Sequence, residues 1–98
     1  MADWHNASTD KLCDALLTLK TREECYALLE DVCTIKEVLD MAQRLSVAVL
    51  LNEKENYNAI NKKTGASTAT ISRVAKCLEF GAGGYKKTIS RLNGEKND

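Results

Sequence analysis

Apolar residues recur three and four positions apart through the first half of the chain, which is the spacing of helices that each bury one face. Thr9 and Asp10 begin the first predicted helix. Thr21 and Thr34 begin the second and third, because a glutamate follows each threonine three residues later in the pattern of a capping box. The apolar faces of the three helices carry Leu12, Ala15, Leu16 and Leu19, then Cys25, Leu28, Leu29 and Val32, and then Ile35, Val38, Leu39, Ala42, Leu45 and Val49.

The third predicted helix, which runs to about Asn52, loses its polar face in its second half. From Leu45 to Leu51 every residue except Ser46 is apolar, so this stretch needs cover on more than one side. A chain of 98 residues buries only about 60–70% of the surface of its unfolded form and can hardly provide that cover alone. The pattern favours an intertwined or closely packed homodimer; the alternative is a central core helix in a monomer.

Three shorter helices are predicted in the second half of the chain. A polar run at 52–55 and a glycine-rich run at 81–84 separate them from their neighbours. The predicted segments are a short helix that Asn56 caps and that runs through Lys63, a turn over 65–67, a helix from Thr68 to about Phe80, and a last helix from about Tyr85 to Leu92. The predicted fold class is therefore all-α, with six helices in a single structural domain.

Charge supports a functional division of the chain near residue 55. Residues 1–55 carry 11 acidic and 6 basic side chains, a net charge of −5, whereas residues 56–98 carry 3 acidic and 8 basic ones, a net charge of +5. A basic face is what a protein needs to displace counterions from DNA. We expect residues 1–55 to form an N-terminal helical dimerisation core, 56–80 a helix-turn-helix, 81–92 a C-terminal helix and 93–98 a disordered tail.

The segment 56–80 meets the requirements of a helix-turn-helix, in which the second helix lies in the major groove of DNA and the first crosses the backbone. Gly65 supplies the left-handed backbone that ends the first helix, and Ser67 caps the second. Asn61 departs from the usual pattern, because it stands four residues before the glycine, where such units often have a small residue. The side chains that can pack the two helices together are Ile60, Ile71, Val74 and Leu78.

One face of the second helix is then free to meet DNA. Small and hydroxyl side chains near its N-terminus are placed to read bases: Thr68, Ala69 and Ser72. Polar and basic side chains around them are placed to hold backbone phosphates without reading sequence: Asn58, Lys62, Lys63, Arg73, Lys76, Lys86 and Lys87. An ordinary pair of helices joined by a glycine turn would show a similar pattern.

The sequence gives no support for a metal site or a catalytic site. Cys13, Cys25, Cys33 and Cys77 lie 12, 8 and 44 positions apart, so no C-x-x-C pair is available for zinc. His5 is the only histidine, and no Ser-His-Asp set or cofactor fingerprint is present. We expect no enzyme, no metal, no membrane segment and a cytoplasmic protein with reduced thiols.

Four runs of the sequence together point to a known family. They are 42–45 (AQRL), 56–60 (NYNAI), 64–74 (TGASTATISRV) and 83–85 (GGY). These runs resemble the Trp-repressor superfamily, most closely its small TrpR-related branch of the YerC/YecD type, and the likeness extends over nearly the whole chain. The resemblance implies an all-helical, intertwined homodimer whose two helix-turn-helix units face successive major grooves. It also implies base reading by the start of the second helix.

The resemblance further bears on ligands. The Trp repressor binds free tryptophan through a threonine and two arginines, which match Thr34, Arg44 and Arg73 here. A glycine that leaves room for the indole ring is replaced by Val74, so we expect no tryptophan binding and no cofactor. Arg44 and Arg73 could still bind another carboxylate, which leaves a smaller effector open. The favoured alternative is that Arg73 reaches a DNA phosphate and Arg44 a surface or interchain acid.

The expected function is that of a transcriptional regulator, most simply a repressor. Its expected partners are double-stranded DNA, bound sequence-specifically, and a second copy of the chain. The alternative is a helical interaction protein or an RNA-binding dimer that recognises no specific operator.

Overall fold

A computed structural model describes residues 3–94 of the chain. Within these bounds the chain forms six helices and no strand, which confirms the all-α prediction. The helices are α1 (Ala7–Leu17), α2 (Arg22–Val32), α3 (Ile35–Asn52), α4 (Tyr57–Thr64), α5 (Thr68–Phe80) and α6 (Gly84–Leu92). Of the predicted disordered tail, residues 95–98 lie outside the described part of the chain.

Two compact units divide the chain within α3, the first comprising Met1–Val38 and the second Leu39–Asp98. The first unit therefore holds α1, α2 and the opening turn of α3, and the second holds the remainder of α3 and the three shorter helices. The predicted boundaries at residues 55, 80 and 92 divide the chain by the expected function of each segment, and they stay predictions.

Helix α1 begins two residues earlier than its predicted start at Thr9. Asn6 is the N-cap, and its side-chain oxygen accepts a hydrogen bond of 3.0 Å from the backbone N–H of Thr9. The Thr9 hydroxyl oxygen in turn accepts a hydrogen bond of 2.8 Å from the backbone N–H of Asn6. Thr9 is thus the third helical residue of a reciprocal capping box and not the start of the helix, because Asn6 is the N-cap.

The predicted starts of α2 and α3 are confirmed. The Thr21 hydroxyl accepts from the N–H of Glu24 at 3.1 Å, but the Glu24 carboxylate accepts from the N–H of Lys20 rather than that of Thr21. At α3 the exchange is complete, since Thr34 accepts from the N–H of Glu37 at 3.1 Å and donates its own N–H to the Glu37 carboxylate at 2.8 Å. Local hydrogen bonds therefore fix where both helices begin.

No residue of the first unit from residue 3 to residue 38 is buried within the chain. Leu17 is 82% exposed and Ile35 is 79% exposed. Other large apolar side chains of this unit that remain exposed are Trp4, Leu12, Leu16, Tyr26 and Val32. The apolar faces of these amphipathic helices therefore do not form a buried core within residues 3–38.

The second unit holds the hydrophobic core of the described residues. Its buried members are Val47, Ala48, Ile60, Ala66, Ile71, Val74 and Ile89, and the half-buried apolar residues packed against them are Leu45, Val49, Leu50, Leu51, Leu78 and Tyr85. The predicted packing between the two helices of the segment 56–80 is confirmed. The apolar stretch 45–51 is only partly covered, because Val47 and Ala48 alone are fully buried in it.

Candidate nucleic-acid interface

Helices α4 and α5 are joined by a three-residue turn whose ends are both capped. The Asn56 side chain caps α4 by accepting from the N–H of Ala59 at 2.8 Å. Gly65 ends α4 with φ +75°, the left-handed conformation that glycine adopts without strain. The Ser67 hydroxyl then accepts from the N–H of Thr70 at 3.2 Å and begins α5. The predicted roles of the three capping residues are confirmed.

Side-chain hydrogen bonds brace this turn. Asn61 donates from its side-chain amide to the carbonyl of Ala66 at 2.8 Å, across the turn. The Thr64 hydroxyl donates to the carbonyl of Ile60 at 2.8 Å and accepts from the N–H of Ala66 at 3.1 Å. The Gln43 amide on α3 donates to the carbonyl of Thr64 at 3.1 Å. Asn61, the residue that departs from the usual small side chain, thus helps to hold the turn in place.

Helix α5 has one face in the core and another in solvent. Ile71 and Val74 are buried, whereas the residues predicted to meet DNA are exposed, namely Thr68, Ala69, Ser72, Arg73 and Lys76. We call Thr68, Ala69 and Ser72 the reading face. Because burial fixes the inner side of the helix, the orientation of the reading face is set by the core.

The remaining predicted phosphate contacts are exposed as well. They are Asn58, Lys62 and Lys63 on α4, and Lys86 and Lys87 on α6. Lys63 differs from its neighbour Lys62, because its ammonium group lies 2.7 Å and 2.9 Å from the two carboxylate oxygens of Glu55. Glu55 was absent from the sequence prediction. Eight positions and a turn separate the two residues, so no rule of local helix spacing points to the pair.

The residues that we expected, from the resemblance, to match the tryptophan ligands of the Trp repressor are divided between the two units. Thr34 belongs to the first unit, and its hydroxyl oxygen accepts the capping hydrogen bond of α3. Arg44 is half-buried and Arg73 is exposed, both in the second unit. Val74 is 2% exposed and is a member of the core cluster.

Other candidate chemistry is sparse in the described part of the chain. No group of three or more His, Cys, Asp or Glu residues among residues 3–94 could hold a metal ion. All four cysteines are free thiols, and those at 13 and 77 are exposed. The Trp4 and His5 rings meet edge to face, with centroids 4.1 Å apart, and both are exposed. No helix in the described residues is long and apolar enough to cross a membrane.

Relatives and solved structures agree with this architecture. YerC, an uncharacterised protein of Bacillus subtilis (strain 168), is 48% identical over 83 residues, which are 85% of this chain and 80% of YerC. A candidate Trp repressor from Staphylococcus aureus is 44% identical and superposes with a TM-score of 0.88 over 95% of this chain and 93% of its own. A TrpR-like protein from Eubacterium eligens ATCC 27750, also 44% identical, superposes with a TM-score of 0.87 over 94% of this chain and 95% of its own.

The sequence model of the family described as Trp repressor protein matches residues 7–93. This range takes in all six helices, and with them the capped turn and the reading face. The chain belongs to the Trp repressor protein family, whose members are DNA-binding regulators and not enzymes.

Proposed function

We propose that this chain is a transcriptional repressor that binds a specific sequence of duplex DNA as a homodimer, with α5 in the major groove. The observation that carries the proposal is the two-sided character of α5: Ile71 and Val74 anchor it in the core while the reading face lies in solvent. A helix that enters a groove of DNA must be packed rigidly against the protein on one face and must present polar groups to the DNA on the other.

The composition of the reading face suits base recognition. Hydroxyl groups such as those of Thr68 and Ser72 can donate to or accept from base edges, and the methyl group of Ala69 suits the thymine methyl. These residues are the first, second and fifth of α5, near the end at which recognition helices contact bases. The outward position of Arg73 and Lys76 farther along the helix favours contact with phosphates.

The apolar surface of the first unit supports the homodimer. Exposed leucines on α1 and exposed Ile35 at the start of α3 need cover that residues 3–38 do not provide for themselves. A second copy would provide it through a shared apolar interface, and two-fold homodimers are the commonest soluble oligomers. In such a dimer the two copies of α5 would meet half-sites about one helical turn of DNA apart, roughly 34–36 Å.

We also propose that the regulator works without tryptophan. Val74 is a buried member of the core cluster, so its side chain is not free to make room for an indole ring. Millimolar L-tryptophan should change neither the melting temperature of the protein nor its affinity for an operator selected from fragments of the source genome. A rise in either quantity would contradict this part of the proposal.

The central experiment selects bound fragments from the source genome and then measures the affinity of variants for the selected operator and for an unrelated duplex. T68A and S72A should each reduce the discrimination between the two duplexes by about 1–3 kcal/mol per lost base contact. K62A should weaken binding to both duplexes by the same factor. The slope of the logarithm of the binding constant against the logarithm of the salt concentration should become shallower by about 0.9 per bound chain.

Two outcomes would contradict the proposal. Unchanged discrimination in both T68A and S72A would exclude base reading by α5. Selection of RNA or of an acidic protein partner, together with weak and sequence-independent binding to DNA, would favour an interaction protein instead. Melting curves of each variant serve as the control for folding.

A further inference from the structure

The ion pair between Glu55 and Lys63 places an acid against a residue of the proposed DNA-binding surface. Both carboxylate oxygens of Glu55 lie within 2.9 Å of the Lys63 ammonium nitrogen. The Glu55 side chain is 23% exposed and that of Lys63 is 56% exposed. The Glu55 side chain is therefore the less exposed partner, and the Lys63 side chain is the more exposed one.

The backbone of the turn between α3 and α4 fixes the position of Glu55. Lys54 adopts a left-handed conformation with φ +67°, which is uncommon for a residue with a side chain. The N–H of Glu55 donates to the carbonyl of Leu50 at 3.1 Å, which ties the residue to the last turns of α3. The carboxylate is thus held where it meets the last turn of α4, which carries Lys63.

A carboxylate oxygen that accepts a hydrogen bond from a lysine ammonium group occupies the position that a phosphate oxygen of DNA would occupy on that group. The oxygens of both groups are anionic acceptors, and a lysine ammonium interacts with either as a compact point charge. A lysine already neutralised by an acid displaces no counterion when the protein meets DNA, because the pair carries no net charge. Lys62 is exposed on the same helix and makes no ion pair with a described residue, so it keeps its full charge for DNA.

We propose that Glu55 acts as an internal substitute for a DNA phosphate on Lys63 and thereby lowers the affinity of the chain for every duplex. This inference rests on the proposed DNA-binding function and adds a residue that sets its strength. Glu55 is a positioning residue, since it acts through Lys63 and touches no base. It weakens binding without altering which sequence is preferred, because phosphates are common to all duplexes.

The test measures the salt dependence of DNA binding by wild type and by E55Q, which keeps the shape of the side chain and removes its charge. Affinities for the selected operator and for an unrelated duplex are measured between roughly 50 and 200 mM salt. We expect E55Q to bind both duplexes more tightly at low salt and by the same factor. Its slope of log K against log salt should be steeper by about 0.9 per bound chain, which is about a 3.5-fold greater loss of affinity over the fourfold rise in salt.

Two variants control for general charge effects. E53Q removes an exposed acid two residues earlier in the same turn, so it makes the same change in net charge without freeing Lys63. Its slope should stay close to that of wild type. The double variant E55Q/K63Q should lose the gain seen in E55Q, because the freed ammonium group is absent from it.

Two results for E55Q would overturn the inference. The first is a salt-dependence slope equal to that of E53Q. The second is weaker DNA binding than wild type, which would mean that Glu55 orients Lys63 towards a phosphate. NMR of the lysine ammonium groups tests the same point in wild type and does not depend on the folding of a variant. Addition of duplex DNA should shift the Lys62 signal and leave that of Lys63 in place; a shift of Lys63 equal to that of Lys62 would overturn the inference.

Failure of this inference and failure of the proposed function give different results. If wild type shows no salt-dependent binding to any duplex, the proposed function fails. If wild type binds its operator with a steep salt dependence and E55Q behaves as E53Q does, the function stands and only the role of Glu55 is wrong.

Discussion

The two units of the chain use their apolar residues in opposite ways. The second unit contains every buried side chain found among residues 3–94, and these form one cluster between helices. The first unit has amphipathic helices of similar pattern, yet none of its described residues is buried. The difference lies in what each pattern faces, since apolar periodicity indicates that a helix buries a face and does not indicate against what.

The helices of the first unit have hydrogen-bonded caps but no buried side chain among residues 3–38. Capping hydrogen bonds define α1 and α2, but helices of 11 residues are marginal in water without packing. We therefore expect the first unit to depend on apolar cover that residues 3–38 do not provide, which the proposed homodimer would supply. The second unit has its own core, and that core holds the reading face in its orientation.

The largest effect should come from the double variant L12A/L16A in the first unit. These leucines lie one turn apart on α1 and are 46% and 45% exposed in the single chain. If a second copy covers them, each truncation should cost about 2–5 kcal/mol of the free energy of unfolding of the dimer. Sedimentation analysis should then show monomers, and the melting temperature of wild type should rise with protein concentration.

Lys11→Ala is the matched control on the same helix, because Lys11 is exposed and polar. It should leave both the mass and the melting temperature close to wild type. The contrast between the units would be broken if L12A/L16A behaved like this control, because the apolar face of α1 would then lie in water in the working protein.

A somewhat smaller loss is expected when the core of the second unit is opened. Ile71→Ala removes a fully buried side chain from the cluster and should reduce the free energy of unfolding by about 2–5 kcal/mol. Ser72→Ala, one position along and exposed, should change it by less than about 0.5 kcal/mol. Denaturant titration measures both. Equal behaviour of the two variants would mean that α5 is not anchored through its inner face.

Features of the fold that arise from neighbouring residues were predictable from the sequence. The caps at Thr34, Asn56 and Ser67 and the left-handed Gly65 were all expected, because each requires only a few adjacent residues. The core positions on α4 and α5 followed from helical periodicity. The start of α1 was misplaced because Asn6 pairs with a threonine rather than with the glutamate of the usual capping box.

The candidate site was predictable only in part. Exposure of the reading face followed from the periodicity of α5, whereas its contact with bases stays a prediction. The pair of Glu55 and Lys63 depends on the backbone of the turn at Lys54, which no pattern of residue types specifies. The hydrogen bond from Asn61 across the turn was likewise not predicted. The sequence pattern showed only that Asn61 is larger than the residue usual at that position.

The glycine-rich end of α5 offers a comparison of two glycines. A Cβ atom at Gly81 would lie 2.3 Å from the carbonyl oxygen of Cys77, whereas one at Gly84 would meet nothing within 4 Å. Gly81→Ala must therefore shift the backbone and should cost about 1–3 kcal/mol of stability. Gly84→Ala, at the first position of α6, should leave stability unchanged or raise it by up to about 1 kcal/mol. Thermal unfolding distinguishes the two, and an equal loss in both would contradict the close packing at Gly81.

The smallest effect concerns the cap at the start of α3, the helix that begins in the first unit and continues into the core of the second. Thr34→Ala removes the acceptor for the N–H of Glu37 but keeps the backbone N–H that donates to the Glu37 carboxylate, so it should cost about 1 kcal/mol. Thr21→Ala removes a similar acceptor, and Glu24 likewise keeps its bond to the N–H of Lys20, so we expect a loss of similar size. Both free energies can be measured by denaturant titration at one fixed protein concentration, so that association does not enter the difference. A loss at Thr21 much larger than that at Thr34 would contradict this equivalence and would show that the start of α2 contributes more to stability than the start of α3.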